Sequence, residues 1–422
     1  MAVRERHANT RVGLVLATVL AALPLARAAD RLPGALTDGV WQIPAGRHTG
    51  HFVVNTPTHI RCHEAATLDG NGSGHVLELK VPGITVENCR IENWGDDLTA
   101  LNAGIFIHKQ ASGARILNNR FQGPGFGIWA DGTHDIEIAF NRIEGDLNYR
   151  SQDRGNGIHL FAVHNAWVHH NEVWHTRDGI YIDTSNGNRL TDNYLHDLRY
   201  GVHYMYSHDN TVARNRTTRT RTGYALMQSR RLQVIGNRSE QDRNYGILMN
   251  FITDSTLKGN VITGVRAGQT GGVSIQGGEG KGLFVYNSVF NTFEGNRVQD
   301  SDIGIHLTAG SEDNRVFGNA FIGNAHQVKY VATRRQSWAE NGRGNYWSDY
   351  LGWDRNGDGI GDVPYAPNDR IDKLLWRVPE ARLLLHSPAV ETLRWAQQAF
   401  PVLKPQGVED PAPLMQPPEN GG

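Results

Sequence analysis

The chain has 422 residues, with 42 Lys and Arg set against 43 Asp and Glu for a formal charge of −1. That balance offers no basic face, which argues against nucleic acid as a partner. Its 48 glycines suit a fold of many tight turns, and its two cysteines, Cys62 and Cys89, allow one disulfide at most.

Residues 1–28 have the pattern of a secretory signal. Arg4, Arg6 and Arg11 form a positive flank, residues 12–25 an apolar run too short for a membrane-spanning helix, and Ala26-Arg27-Ala28 a small-residue cleavage site. Arg4-Glu5-Arg6 is not a twin-arginine pair, so export unfolded is expected. Removing the leader's four Arg and one Glu leaves a charge of about −4 on a mature chain starting near Ala29. The remainder holds no second apolar segment of spanning length, so one elongated domain with a tail is expected.

Residues 35–92 lead into a repeat. Thr67-Leu68-Asp69-Gly70-Asn71-Gly72 reads as a turn cluster, and residues 84–91 as the first clear copy. Cys62 and Cys89 lie 27 residues apart, about one coil, so they form a disulfide, two buried thiols or a pair of copper-binding thiolates. Cys89 takes the place in its copy that Asn119 takes in the next.

Two markers then recur. Asn stands at 119, 141, 171, 193, 215, 237, 260, 296 and 319, and Gly followed by apolar-any-apolar at 104, 127, 157, 179, 201, 223, 246, 272 and 304. Most gaps are 22 or 23 residues, a solenoid period. Gly-Ile-Tyr-Ile after Asp178 and Gly-Val-His-Tyr after Tyr200 alternate as half-buried strands do, and no copy holds a helix. The expected fold is all-β, a right-handed parallel β-helix over residues 29–340 with stacked Asn side chains and coils rising ~4.8 Å each. Longer gaps predict loops around residues 94–102, 147–155 and 277–287.

The residues two and four places after each Gly form outward ladders. The first runs Phe106, Trp129, His159, Tyr181, His203, Ala225, Leu248, Ser274 and His306. The second runs His108, Ala130, Phe161, Asp183, Met205, Met227, Asn250, Gln276 and Thr308. Met205 and Met227 therefore fall on adjacent coils, with His203 on the same side. Met249 follows 22 residues on and completes the candidate set, although one extra residue before Gly246 turns it inward by register. Thioether with imidazole suits Cu(I). A docking patch or a loop-covered surface uses the same residues, and Tyr181, Asp183 and His203 offer base, neutraliser and acid to a sugar uronate. Eight histidines fall between His159 and His208; among them His164, His169 and His170 flank a turn and form a separate set.

After Asn319 the repeat stops. Residues 341–386 form an Asp-rich capping segment in which Asp354, Asn356, Asp358 and Asp362 match the first half of a calcium loop. Tyr365 occupies the place of that loop's bidentate Glu, and the alternative is a metal-free turn. Residues 387–422 combine an amphipathic helix over 389–400 with a Pro-rich extended end.

The Gly-Ile and Gly-Asn-Arg copies, Gly344-Asn345-Tyr346-Trp347-Ser348-Asp349-Tyr350 with the Asp loop, and the tail from Ser387-Pro388-Ala389 to Phe400-Pro401-Val402-Leu403 together resemble the NosD family. The resemblance covers nearly the whole mature chain. It implies a periplasmic, non-enzymatic accessory protein for nitrous oxide reductase. Its expected partners are the permease and ATPase of an ABC transporter, the reductase and a copper chaperone, with copper as transient cargo. Two alternatives stay open: a β-helix lyase, epimerase or hydrolase on an acidic polysaccharide, and a structural adaptor. For the enzyme, Asp183 with His203 is the one decent pair on the ladders.

Overall fold

The computed structural model describes residues 30–267, 278–330, 334–367, 387–389, 392 and 407–418. Each coil contributes three short strands, and successive coils stack into three parallel sheets of 12, 13 and 13 strands. An antiparallel pair, Ala35–Thr37 with Val40–Ile43, opens the stack. Within a coil the chain runs from a first face (Tyr200–Met205, for example) to a second (Thr211–Ala213) and a third (Arg216–Thr218).

Alternation decides what faces in. On the second face the middle residue of each strand is apolar and fully covered, so Ile116, Ile138, Val168, Leu190, Val212 and Val234 form one continuous row. Burying such rows against those of the other two faces is what holds a coil closed. On the first face the pairing skips each Gly: Asp178 lies opposite Tyr200, and the next pair is Ile180 with Val202. A Cβ on Gly179 would lie 2.6 Å from the carbonyl oxygen of Gly201, and Gly201 and Gly223 meet the coil above at 2.7 Å. Glycine recurs there because backbone passes where a side chain would sit.

The Asn column is a hydrogen-bonded ladder. Each side-chain oxygen from Asn141 onward accepts from both the backbone N–H and Nδ2 of the Asn one coil earlier, at 2.8–3.1 Å. The rungs are covered, so each amide replaces water for backbone that could not otherwise be satisfied. At the start, the backbone N–H of Cys89 donates to Asn119, and Cys89 is bonded to Cys62, with 4.9 Å between their Cα atoms.

Several expectations need correction. The repeat does not end at Asn319: Asn345 is one more rung, and Tyr346–Trp347 pairs with Ala320–Ile322 on the third face. Residues 66–69 are a strand rather than part of a turn. The strand of the coil after Gly246 is Lys281–Tyr286 and carries Gly282, because the added residues precede it; both Gly272-Val-Ser-Ile and Gly282-Leu-Phe-Val satisfy the marker. Gly272, Ser274 and Gln276 lie outside the described residues, as does the leader. Ala130 is three, not four, places after Gly127 and faces the interior; Asp131 is the ladder residue, opposite Phe161. Of the tail helix, Pro388, Ala389 and Thr392 are helical, and the rest lies outside the described residues. The Pro-rich end is not wholly free: Val408–Glu409 pairs with Gln336–Ser337, and Leu414 bridges to Tyr346 and Ile360.

Candidate functional site

The first ladder on the outside of the first face is a stack of rings. Trp129 and His159 lie 3.9 Å apart between centroids, His159 and Tyr181 4.6 Å, and Tyr181 and His203 4.1 Å at 8°. Parallel strands bring one ring per coil to the same register, so that His159 and Tyr181 each have a ring above and below. His159 and His203 are each 6% exposed although both sit on an outer surface.

His203 is held by a group that the ladders did not reveal. Its Nδ1–H donates to Asp178 at 3.0 Å, and Arg199 grips the same carboxylate through Nε at 2.7 Å and Nη2 at 2.6 Å. Asp178 is wholly covered. Burial pushes its carboxyl up, but the hydrogen bonds from Arg199 and His203 and the charge of Arg199 outweigh this and hold it below the ordinary range. A carboxylate only accepts, so Nδ1 carries a proton, which in the neutral ring leaves Nε2 its lone pair. That Nε2 is buried and has no hydrogen-bond partner among the described residues. The clue in the sequence was the Gly itself: the pairing skips Gly179 in register, and the residue before it shares a face with those two and four places after.

His159 is the more enclosed imidazole. Burial, only partly opposed by the negative charge of Asp178, drives it down to about 3. Between that value and the ordinary 6.5 the unfolded chain binds a proton that the folded chain does not, so stability falls as pH falls through this window. At pH 5 the cost is about 2 kcal/mol. In His159→Phe, which keeps a ring in the stack, the drop in urea stability from pH 7 to pH 5 should be smaller by about that amount. Equal drops in the two proteins would show that His159 does not titrate this way.

Met205 and Met227 are direct register partners on adjacent strands and are half-buried, with Asp183 on one flank and Asn250 on the other. Met249 is excluded from this surface: it pairs with Leu226, is 1% exposed and belongs to the core. The extra residue before Gly246 is the cause. Beside the Met pair the edge of the face is aromatic and open, with Phe161, Tyr206, Phe251 and Tyr286 each 40–51% exposed. Tyr206 and Phe251 hold φ of 50° and 54°, where bulky residues are rare. Carboxylates also fall on the ladders, Glu78 opposite Phe106 and Asp131 opposite Phe161, so Asp183 is not the single acid there. Asp131 and Asp183 are separated by Phe161 and do not form an adjacent pair.

The Asp-rich loop is a hydrogen-bonded turn. Asp354 accepts from the N–H of Gly357 at 2.7 Å and of Gly359 at 2.8 Å, Asp358 from Ile360, and Asp362 from Arg355. Asn356 is bonded to Asp358. These oxygens serve the loop's own backbone, as Asx turns do. Among the described residues no three His, Cys, Asp or Glu side chains gather as a metal site, so the calcium expectation gains no support.

A family model described as "Periplasmic copper-binding protein (NosD)" matches residues 139–352, which include His159, Tyr181 and His203 of the ring stack and the Met pair. The chain belongs to the NosD family. It is 59% identical over 414 residues, 97% of both chains, to a "Probable ABC transporter binding protein NosD" of Pseudomonas aeruginosa. A protein of the same description from Stutzerimonas stutzeri is 56% identical over 376 residues, 89% of this chain and 86% of that one. Among solved structures, PfbA, a surface adhesin of Streptococcus pneumoniae, superposes with a TM-score of 0.51 at 11% identity, covering 68% of this chain and 83% of the other. That likeness concerns the β-helix alone. No helix among the described residues is long and apolar enough to cross a membrane.

Proposed function

We propose that this chain is a periplasmic binding subunit that carries Cu(I) for the maturation of nitrous oxide reductase. In this reading it is exported by residues 1–28 and works beside the permease and ATPase of an ABC transporter. Copper comes from a chaperone and passes to the reductase, and ATP is hydrolysed by the transporter and not here. The family membership supports copper as cargo and a binding role rather than catalysis.

The observation that carries the proposal is His203. Its Nδ1–H is pinned by Asp178, its Nε2 has no partner among the described residues, and Met205 follows two residues on, in register with Met227. A neutral imidazole oriented by a carboxylate, beside two thioethers, is a donor set for a soft ion. The open aromatic edge next to the Met pair supplies apolar surface on which a donor or acceptor protein would dock.

The test is anaerobic competition for Cu(I) against a chromophoric chelator. The His203→Ala/Met205→Ala/Met227→Ala variant should bind one equivalent fewer than the unaltered protein, with the same circular dichroism. Identical stoichiometry and affinity in the two proteins would overturn the site.

A further inference from the structure

The corner between the second and third faces, which does not touch the first face, holds a second pair of imidazoles. His169 ends the strand Trp167–His169 and is covered, whereas His170 starts the turn with φ 54° and is exposed. Their Nδ1 atoms face each other at 2.9 Å. The walls are aromatic: Trp167 stacks on His169 at 3.8 Å, and Phe140, one coil below, stacks on His170 at 4.9 Å.

The tautomers follow from the partners. His169 Nε2 lies 3.2 Å from Glu137 Oε1, whose other oxygen accepts from Arg115 at 2.8 Å. An ionised carboxylate cannot donate, so Nε2 of His169 carries its proton. Its Nδ1 is therefore a lone pair, and His170 Nδ1–H donates to it. Two imidazole nitrogens thus face each other, one on a buried ring and the other on an exposed turn.

We propose that His169 and His170 form a two-coordinate site for Cu(I), independent of the His203 face. A divalent ion such as Zn²⁺ asks for four donors, and among the described residues no third His, Cys, Asp or Glu completes such a set here. A soft monovalent ion needs only two nitrogens in line. Two bonds of about 2 Å require the nitrogens to part to about 4 Å, and rotation of exposed His170 provides this. On binding, Nδ1 of His170 gives its proton to water and Nε2 takes one, so the ring stays neutral and the complex gains only the charge of the ion. Such a site would hold copper near the surface, apart from the Met pair.

The experiment uses Cu(I) alone, again under anaerobic competition, on four full-length mature proteins. These are the unaltered chain, His170→Asn, the His203→Ala/Met205→Ala/Met227→Ala variant, and the combination of all four substitutions. Asn tolerates positive φ, so His170→Asn should leave the coil folded, which circular dichroism checks. The triple variant should keep one equivalent whose X-ray absorption shows two nitrogen neighbours and no sulfur, and adding His170→Asn should remove it. Full loss of copper in the triple variant, or retention after His170→Asn is added, would overturn the dyad. Should His170→Asn remove all copper while the triple variant binds like the unaltered chain, the dyad stands and the His203 reading falls.

Discussion

Asp410→Ala is expected to destabilise the solenoid by about 3–5 kcal/mol. Asp410 is fully buried and closes the Asn ladder. Its Oδ2 accepts from the backbone N–H of Asn345 at 2.6 Å and from the indole N–H of Trp347 at 2.8 Å, and its Oδ1 from the N–H of Ala412 at 3.1 Å. Alanine leaves these donors without an acceptor, and each orphaned buried group costs about 1–3 kcal/mol. Because coils contact mainly their neighbours, the loss should show first as local opening. Hydrogen exchange should quicken at residues 345–347 and 408–414 before the middle coils change, and the urea midpoint should fall. Asp410→Asn keeps an acceptor oxygen and should cost less than half as much. An alanine variant with unchanged exchange at residues 345–347 would show that the ladder needs no terminal acceptor.

Asp178→Ala should have a comparable cost, about 3–5 kcal/mol, because removing one member of a buried ion pair leaves the other uncompensated. Arg199 has a side chain only 25% exposed, and His203 would lose the acceptor that fixes its tautomer. The double variant Asp178→Ala/Arg199→Ala should therefore lose less than the sum of the two single changes, a coupling that urea titration reads directly. With copper as cargo, Asp178→Ala should also weaken Cu(I) binding at the His203 site by about 10–100-fold, the usual effect of freeing a ligand histidine. Additive stabilities in the double variant would mean that the pair is not coupled. Unchanged copper affinity would mean that the orientation of His203 does not matter.

The repeat was legible because its cause is periodic. Glycine is needed wherever the backbone of one coil passes over the next, and Asn wherever a turn must be bridged from inside, so both residues return at each coil. The pairing of Cys62 with Cys89 follows the same logic, one coil apart. What escaped notice is what breaks the period. Asp178 reaches the outer face where the pairing skips Gly179, and strict alternation would send it inward. Met249 is the exception that register did show: it keeps the 22-residue spacing of the Met pair, but the residue inserted before Gly246 turns it into the core. Asn345 looked like the start of a different segment because its rung follows an irregular stretch. Its partner Asp410, 65 residues further on, belongs to no repeat and carries no spacing signal.

The ladder's two fastenings close at different times when the chain folds from its N-terminus onward. The bond between Cys62 and Cys89 joins residues 27 apart and becomes available once the first coils exist. Asp410 reaches Asn345 only when the chain is nearly finished. Until then the leading coil carries an unfilled row of donors and strand edges, the surface that invites pairing with another growing chain. A truncation before residue 410 would thus cost more than the tail itself: it would leave a solenoid that begins locked and ends adhesive.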